Sequence, residues 1–318
     1  MTAPAGSRPS TAQAAAGALD LLYQHRLLTT GQLHRLQGGG DRRPVYLRGH
    51  LNRLMAAGLV GRVRAHGRNS VRSEYVWFLT EQGADDIENG RTLAVRPYRV
   101  SEEAAAGSRQ AHTLGLNEVG LAFLEHAQRL GHECGPLDWT PEVAHRLRDG
   151  QHGFEQSHVI SDAVLDYVHV RPRGARTMLR MFIEYDRSTM TVGRLAGKLS
   201  GYARLYTYVP AQTARGRRSA GRTRPAWQYQ YPVFPRLLII LDGAGPRALH
   251  ARTADLVAQA RADVRLMRLA DRLRVGVSTL DQLRADGPFG ATFTPVLRAG
   301  QPTDIYLEPR GDEHGSGP

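Results

Sequence analysis

Residues 44–58, Pro44-Val45-Tyr46-Leu47-Arg48-Gly49-His50-Leu51-Asn52-Arg53-Leu54-Met55-Ala56-Ala57-Gly58, carry the stretch that decides the fold of the N-terminal part. Pro44 suits the first turn of a helix, Val45, Leu47, Leu51, Leu54 and Met55 give it a buried stripe, and Gly58 ends it as a C-cap. Two strand-like runs follow, Val60 to Ala65 and Val71 to Leu79, joined by the turn His66-Gly67-Arg68-Asn69-Ser70.

Before this stretch, Ala15, Ala18, Leu19, Leu22 and Leu27 recur at helical spacing and predict a helix over residues 13–25. Thr29-Thr30 offers an N-cap for a short second helix over 31–36, with Leu33 and Leu36 inward, and Gly38-Gly39-Gly40 breaks it. Three helices and then a two-stranded hairpin is the order of a winged helix, expected over residues 14–90.

The charges fit that geometry. No acidic residue occurs from Arg42 to Ser73, whereas Arg42, Arg43, Arg48, Arg53, Arg62, Arg64, Arg68 and Arg72 all do. Arg48, Asn52 and Arg53 alternate with the buried stripe of the third helix and can face a major groove. Arg62 and Arg64 share a face of the first hairpin strand, with Arg68 at the tip. Guanidinium groups fork onto phosphate or onto a guanine edge. The plain alternative is a solvated basic face; the coincidence of the run with both groove-facing elements favours duplex DNA.

Composition agrees. Against 30 Asp+Glu stand 42 Lys+Arg, a formal net charge of +12, and an excess of that size favours a polyanion because neutralised phosphates release counterions. The longest aliphatic run, Leu237 to Leu241, is far too short to span a bilayer. Residues 1–13 show no signal-type apolar region and read as a disordered leader. Cys134 is the sole cysteine, which excludes a disulfide framework and a cysteine zinc site. The expected compartment is the cytoplasm, and a homodimer stays open.

Residues 91–100, with Gly90 and Pro97 near the ends of the connection, read as a linker. A long helix is expected over 101–130, then strands over 139–147, 162–170 and 179–185, a helix over 192–206, a buried strand over 236–241, a helix over 247–269 and a strand over 273–277. The fold class expected of residues 101–285 is therefore α+β or α/β with a mixed central sheet, in the order αβββαβ. Residues 286–318, rich in Gly and Pro, read as an irregular tail. Within 209–231, Arg215, Arg217, Arg218, Arg222 and Arg224 precede Trp227, Tyr229 and Tyr231. Such a segment either follows a phosphate backbone and stacks on unpaired bases, making single-stranded DNA a second partner, or is a loop whose aromatics pack on the domain. No acid occurs from Arg187 to Leu241.

Chemistry concentrates in one constellation. Glu184 and Asp186 are two apart on a strand and point to the same side, and Asp162 is expected to begin the neighbouring strand. Three such carboxylates could hold Mg²⁺, which can position a water beside a phosphodiester and ease its deprotonation. Lys198, the one lysine among the 42 basic residues, would add a compact ammonium on the next helix. The bland reading ties Glu184 and Asp186 to Arg187, Arg194 or backbone N–H groups. Tyr202 and Tyr206 follow the apolar spacing of Leu195 and Leu199 and read as core. No His-hydrophobe-His metal triad occurs, His112 and His145 read as satisfied groups, and Leu241–Pro246 reads as a plain loop without a nucleotide site.

These residues resemble the PD-(D/E)xK nuclease fold, and the whole chain resembles the replication-relaxation proteins of actinobacterial plasmids and integrative elements. The resemblance rests on Tyr75-Val76-Trp77-Phe78-Leu79-Thr80-Glu81-Gln82-Gly83, Ala111-His112-Thr113-Leu114-Gly115-Leu116-Asn117-Glu118 and Trp139-Thr140-Pro141-Glu142. It continues in Ser161-Asp162-Ala163, Phe182-Ile183-Glu184-Tyr185-Asp186-Arg187 and Lys198-Leu199-Ser200-Gly201-Tyr202. It implies a part in plasmid replication, or in nicking and relaxing DNA. Two positions depart from the nuclease pattern: Asp186 stands where a lysine is expected, with Lys198 as the migrated substitute, and Ser161 stands where a proline is expected. A Mg²⁺-dependent nickase and a catalytically silent, DNA-binding regulator or recruitment factor therefore both remain open.

Overall fold

The computed structural model describes residues 11–39, 45–65, 74–91, 98–148, 157–210 and 224–308. It is a mixed α+β protein that divides into two compact units, Met1–Leu121 with Gly135–Leu137, and Ala122–Cys134 with Asp138–Pro318.

The first unit contains α1 (Thr11–His25), β1 (Leu28–Thr29), α2 (Thr30–Leu36), α3 (Val45–Ala56), β2 (Val60–Arg64), β3 (Tyr75–Leu79), α4 (Glu81–Arg91) and α5 (Glu102–Ala105). Thr29 caps α2: its Oγ1 accepts from Gln32 N at 3.1 Å while the Gln32 side chain accepts from Thr29 N at 3.2 Å, a reciprocal capping box. Gly58, at φ +74°, closes α3 with Gly58 N donating to Met55 O and Leu59 N to Leu54 O. The strands form an antiparallel sheet in the order β1-β3-β2, with Leu28 opposite Trp77 and Val63 opposite Val76. Leu22, Leu28, Leu33, Leu51 and Trp77 fill the space between helices and sheet, and Trp77 Nε1 donates to Thr30 Oγ1 at 2.9 Å.

Several expectations change here. Helix α1 begins at Thr11, inside the stretch read as leader. Strand β1 has two residues, too few for alternation to reveal. Val45 is 61% exposed, because at the first turn of α3 the apolar stripe has only Leu47 and Leu51 fully inward. The hairpin turn and the start of its second strand, residues 66–73, lie outside the described residues, as do 1–10 of the leader, 92–97 of the linker and 309–318 of the tail. The expected helix 101–130 is two: α5, capped by Ser101, and α6 (Gln110–Leu130), parted by a turn at Gly107. Gln110 Nε2 fastens the break by donating to Ala105 O at 2.9 Å and Arg64 O at 3.0 Å. The start of α6 belongs to the first unit: Gln32 Nε2 donates to Leu114 O at 2.8 Å, Asn117 Nδ2 to Leu27 O at 2.8 Å, and Arg35 pairs with Glu118 at 2.8 Å. The division falls inside α6, not at residue 101. In the connector, Arg99 bonds Glu88 and Asp85 of α4.

The second unit is built on six strands, β4 (Trp139–Arg146), β5 (His158–Val170), β6 (Arg176–Asp186), β7 (Arg236–Leu241), β8 (Val275–Thr279) and β9 (Thr294–Pro295), lying side by side in chain order. The sheet is mixed. Strands β4, β5 and β6 are antiparallel neighbours, β6, β7 and β8 are parallel, and β9 runs antiparallel to β8. The parallel joins are crossovers through α7 (Val192–Thr207) and α8 (Pro246–Ala262), followed by α9 (Val264–Met267); α10 (Leu280–Asp286) follows β8. Residues 237–241 of β7, Leu-Leu-Ile-Ile-Leu, are all buried, the continuous apolar run of a strand covered on both faces. Phe182, Leu195, Leu199, Tyr202, Ile239 and Leu256 belong to the core between sheet and helices. The expected irregular tail is structured as far as residue 308: β9 extends the sheet, and Phe293, Val296, Leu297, Ile305 and Leu307 are buried. Apolar residues scattered singly among Gly and Pro gave no period to read.

Candidate active site and basic surface

Asp162 lies within β5, four residues after its start, so the strand carries it further inside the sheet than the sequence suggested. The antiparallel register, with Ala163 opposite Ile183, brings Asp162 beside Glu184 near the end of β6. Helix α7, capped by Thr191, crosses over this point with Lys198 one turn before Tyr202.

Four groups converge there. Lys198 Nζ donates to Asp162 Oδ1 at 3.2 Å and to Glu184 Oε2. Tyr202 Oη donates to Glu184 Oε1, and Tyr185 N donates to Asp162 Oδ2 at 2.8 Å. Glu184 is 1% exposed, whereas the Asp162 and Lys198 side chains are 15% and 31% exposed, so the cluster opens on the aspartate–lysine side. Burial, reinforced by the charge of Asp162, pushes the Glu184 carboxyl up to about 8. Burial works against the Lys198 cation, but Glu184 and Asp162 outweigh it and hold its pKa above the usual lysine range.

A stability consequence follows. Without a bound cation, folded Glu184 keeps a proton between about pH 4.5 and 8 that the unfolded chain releases. The folded state then binds more protons, so this contribution is complete below 4.5 and fades as pH rises through 8, at no more than about 1.4 kcal/mol per pH unit. In EDTA, denaturant titrations from pH 5 to 8 will show stability falling in wild type and a flatter profile in Glu184→Gln; equal slopes would refute this protonation.

Asp186 stands apart from the cluster, a correction to the three-carboxylate expectation. Its Oδ2 accepts from Arg252 Nε at 2.6 Å and its Oδ1 from Ser188 N at 3.1 Å. Arg252 also donates to Met190 O at 2.6 Å. The bland reading anticipated a carboxylate tied to Arg187, Arg194 or backbone N–H groups; a backbone N–H, that of Ser188, is one partner, but the arginine is Arg252. The signal was in α8: Arg252 sits between Leu249 and Leu256 on the inward stripe, where an arginine needs a buried acid. The loop Leu241–Pro246 buttresses the same corner, Asp242 N donating to Asp186 O at 2.8 Å. Gly243, at φ +80°, approaches so closely that a Cβ would lie 2.4 Å from Arg187 O. Tyr202, read as core, is core and also a donor to Glu184.

Asp162 and Glu184 are hard oxygen donors already arranged about a cation, the Lys198 ammonium. That donor set suits Mg²⁺, which commonly takes one or two carboxylates and completes its shell with water and phosphate oxygens. Among the described residues no three His, Cys, Asp or Glu side chains gather for a metal, so the set is these two.

On the first unit, Arg48, Asn52 and Arg53 of α3 are exposed, as is Arg64 of β2. Arg62 Nη1 donates to Asn52 Oδ1 at 3.3 Å, which places helix and strand side chains on one surface. The Arg62 guanidinium lies 4.2 Å from the Tyr75 ring centre and that of Arg64 5.3 Å from it. Arg53 contacts His50 at 3.0 Å. Arg42, Arg43, Arg68, Arg72, Arg215, Arg217, Arg218 and Arg222 lie outside the described residues. Arg224 is exposed, its guanidinium 4.1 Å from the Tyr229 ring centre.

The chain is thus a mixed α+β protein with an exposed arginine surface on one unit and a lysine-bridged pair of carboxylates in the other. It belongs to the replication-relaxation family, whose model matches residues 19–218 and so takes in both features. No curated protein and no solved structure matches the chain significantly. No helix among the described residues is long and apolar enough to cross a membrane.

Proposed function

We propose that the chain binds duplex DNA through a winged helix in its first unit and nicks it with a PD-(D/E)xK-like site in its second, in the replication or transfer of a plasmid or mobile element. The observation that carries this reading is the convergence of the single lysine with Asp162 and Glu184 from three separate elements. A lysine needed only for charge has no reason to differ from the arginines elsewhere; one seated between two carboxylates has to be compact.

Asp162 and Glu184 would hold Mg²⁺, which when bound lowers the pKa of a water and offsets charge on the phosphate. The chain's own groups do the rest. Lys198, held cationic by its neighbours, acts as an electrostatic stabiliser of the developing negative charge and not as a base; as the water's oxygen bonds phosphorus and the bond to the leaving oxygen breaks, the water's proton passes to solvent on the open aspartate–lysine side. Tyr202 and Tyr185 N fix the two carboxylates. Arg48, Arg53, Arg62 and Arg64 contact phosphate or base edges, Arg62 being preset by Asn52 and Tyr75.

The satisfied state of Asp162 and Glu184, each oxygen bonded to a protein donor, favours a second reading, a silent nuclease-like unit on a DNA-binding protein. Supercoiled plasmid decides between them. Wild type is expected to produce open circles with Mg²⁺ and none with EDTA. Gel shifts over a salt series will show duplex binding whose slope falls by about one when Arg64 is replaced by Ala. Duplex binding without nicking supports the silent reading, and no binding at low salt overturns both.

A further inference from the structure

Beyond the acid–lysine cluster, α7 leads to a second feature. Lys198, Tyr202 and Tyr206 follow at four-residue spacing, which carries Tyr206 about 12 Å along the helix from Lys198. Trp227 stacks on Tyr206, ring centroids 5.7 Å apart and planes inclined by 23°, and its Nε1 donates to Tyr206 O at 3.0 Å. Phe234 closes edge-on against both rings, at 5.1 and 5.3 Å. The short 3-10 turn Ala226–Tyr229 is therefore anchored by a buried tryptophan. The same turn presents Tyr229, 62% exposed, to solvent. Arg224 lies over the Tyr229 ring at 4.1 Å, and Gln228 and Gln230 beside it are exposed.

A single exposed tyrosine needs no explanation. A tyrosine paired with a guanidinium, on an anchored turn, inside a 55-residue stretch without one acid (Arg187 to Leu241), is a different matter. The arrangement combines a flat π surface with a planar cation, in a segment that itself adds no negative charge. Paired bases are stacked on each other and closed to such a surface, whereas an unpaired base has a free face.

We propose that Tyr229 and Arg224 form a stacking platform for an unpaired base of single-stranded DNA. This rests on the reading of the second unit as DNA-processing, since a strand freed beside a cut phosphodiester is a source of such bases. Tyr229 supplies the stacking surface and Arg224 the cation, either beneath the base or against its phosphate.

The test is fluorescence anisotropy of the full chain with a labelled oligothymidylate of about 12 nucleotides at low salt. Tyr229→Ala is expected to weaken binding about tenfold, within a range of about 5- to 100-fold, and Tyr229→Phe to retain it. Arg224→Gln is expected to weaken binding and reduce the salt slope by about 0.7. Duplex gel shifts should stay within about twofold for all three, because the surface argued to hold duplex is on the other unit. Thermal melts within about 2 °C of wild type will establish that this exposed position leaves the fold intact. Wild-type affinity in Tyr229→Ala, equal weakening by Phe and Ala, or an equal loss on duplex would each overturn the platform. Wild type that nicks plasmid yet ignores the oligothymidylate sinks the platform alone; absence of both duplex binding and nicking sinks the functional reading beneath it.

Discussion

Lys198→Ala is expected to slow plasmid nicking by on the order of 100- to 1000-fold, the usual loss when one preorganised electrostatic donor is removed from a reacting centre. Lys198→Arg is expected to recover little of it. The ammonium fits between Asp162 and Glu184 because it is small and presents donors in several directions; a planar guanidinium has its donors in one plane and needs more room. Duplex affinity should be unaffected in both variants, since the arginines argued to hold DNA lie on α3 and β2. If Lys198→Arg nicks like wild type, the position needs only charge, and the survival of one lysine among 42 basic residues loses its chemical meaning.

Arg252→Ala is expected to give the largest stability loss, about 3–5 kcal/mol, because it strands a buried carboxylate. The Asp186 side chain is 1% exposed and its cation 13%, so solvent does little to replace the lost partner. At 2–4 °C per kcal/mol for a domain of this size, Tm should fall by about 10 °C. The double variant Arg252→Ala, Asp186→Ala should cost less than the sum of the two single changes, as the cycle removes the unpaired charge. A loss below about 1 kcal/mol in urea titrations would show that solvent replaces the guanidinium at Asp186. Because Arg252 also bonds Met190 O, the pair holds the segment leading from β6 into α7, and nicking is expected to fall along with stability.

Much of the architecture was legible in the sequence because the elements have clean periods. Residues 237–241 could only be a strand buried on both faces, and Leu195, Leu199 and Tyr202 mark the inner side of α7 by spacing alone. Asp162, Glu184 and Lys198 were legible as a set because strand pairing and helix spacing bring them together by topology. Asp186 was misplaced because residues two apart on a strand share a side without sharing a partner; which cation each meets depends on which helix crosses above it. Strand β1 and the tail through residue 308 were missed for a different reason. Leu28-Thr29 and Thr294-Pro295 are too short to carry a period, and they are strands only because longer ones offer them an edge. The break before α6 had one local sign, Gly107, which alone does not end a helix; it is fixed by Gln110 bonding Arg64 O, a tertiary contact.

Whether Asp162 and Glu184 form a working metal site is read from the open-circle yield of supercoiled plasmid in Mg²⁺, comparing wild type with Glu184→Gln at matched DNA occupancy. Glutamine keeps the shape and a hydrogen-bonding oxygen but cannot ionise to supply the charge that a bound Mg²⁺ requires. Wild type is expected to nick, and the variant to bind equally well while nicking at least 100-fold more slowly. Equal nicking by both proteins would contradict such a site.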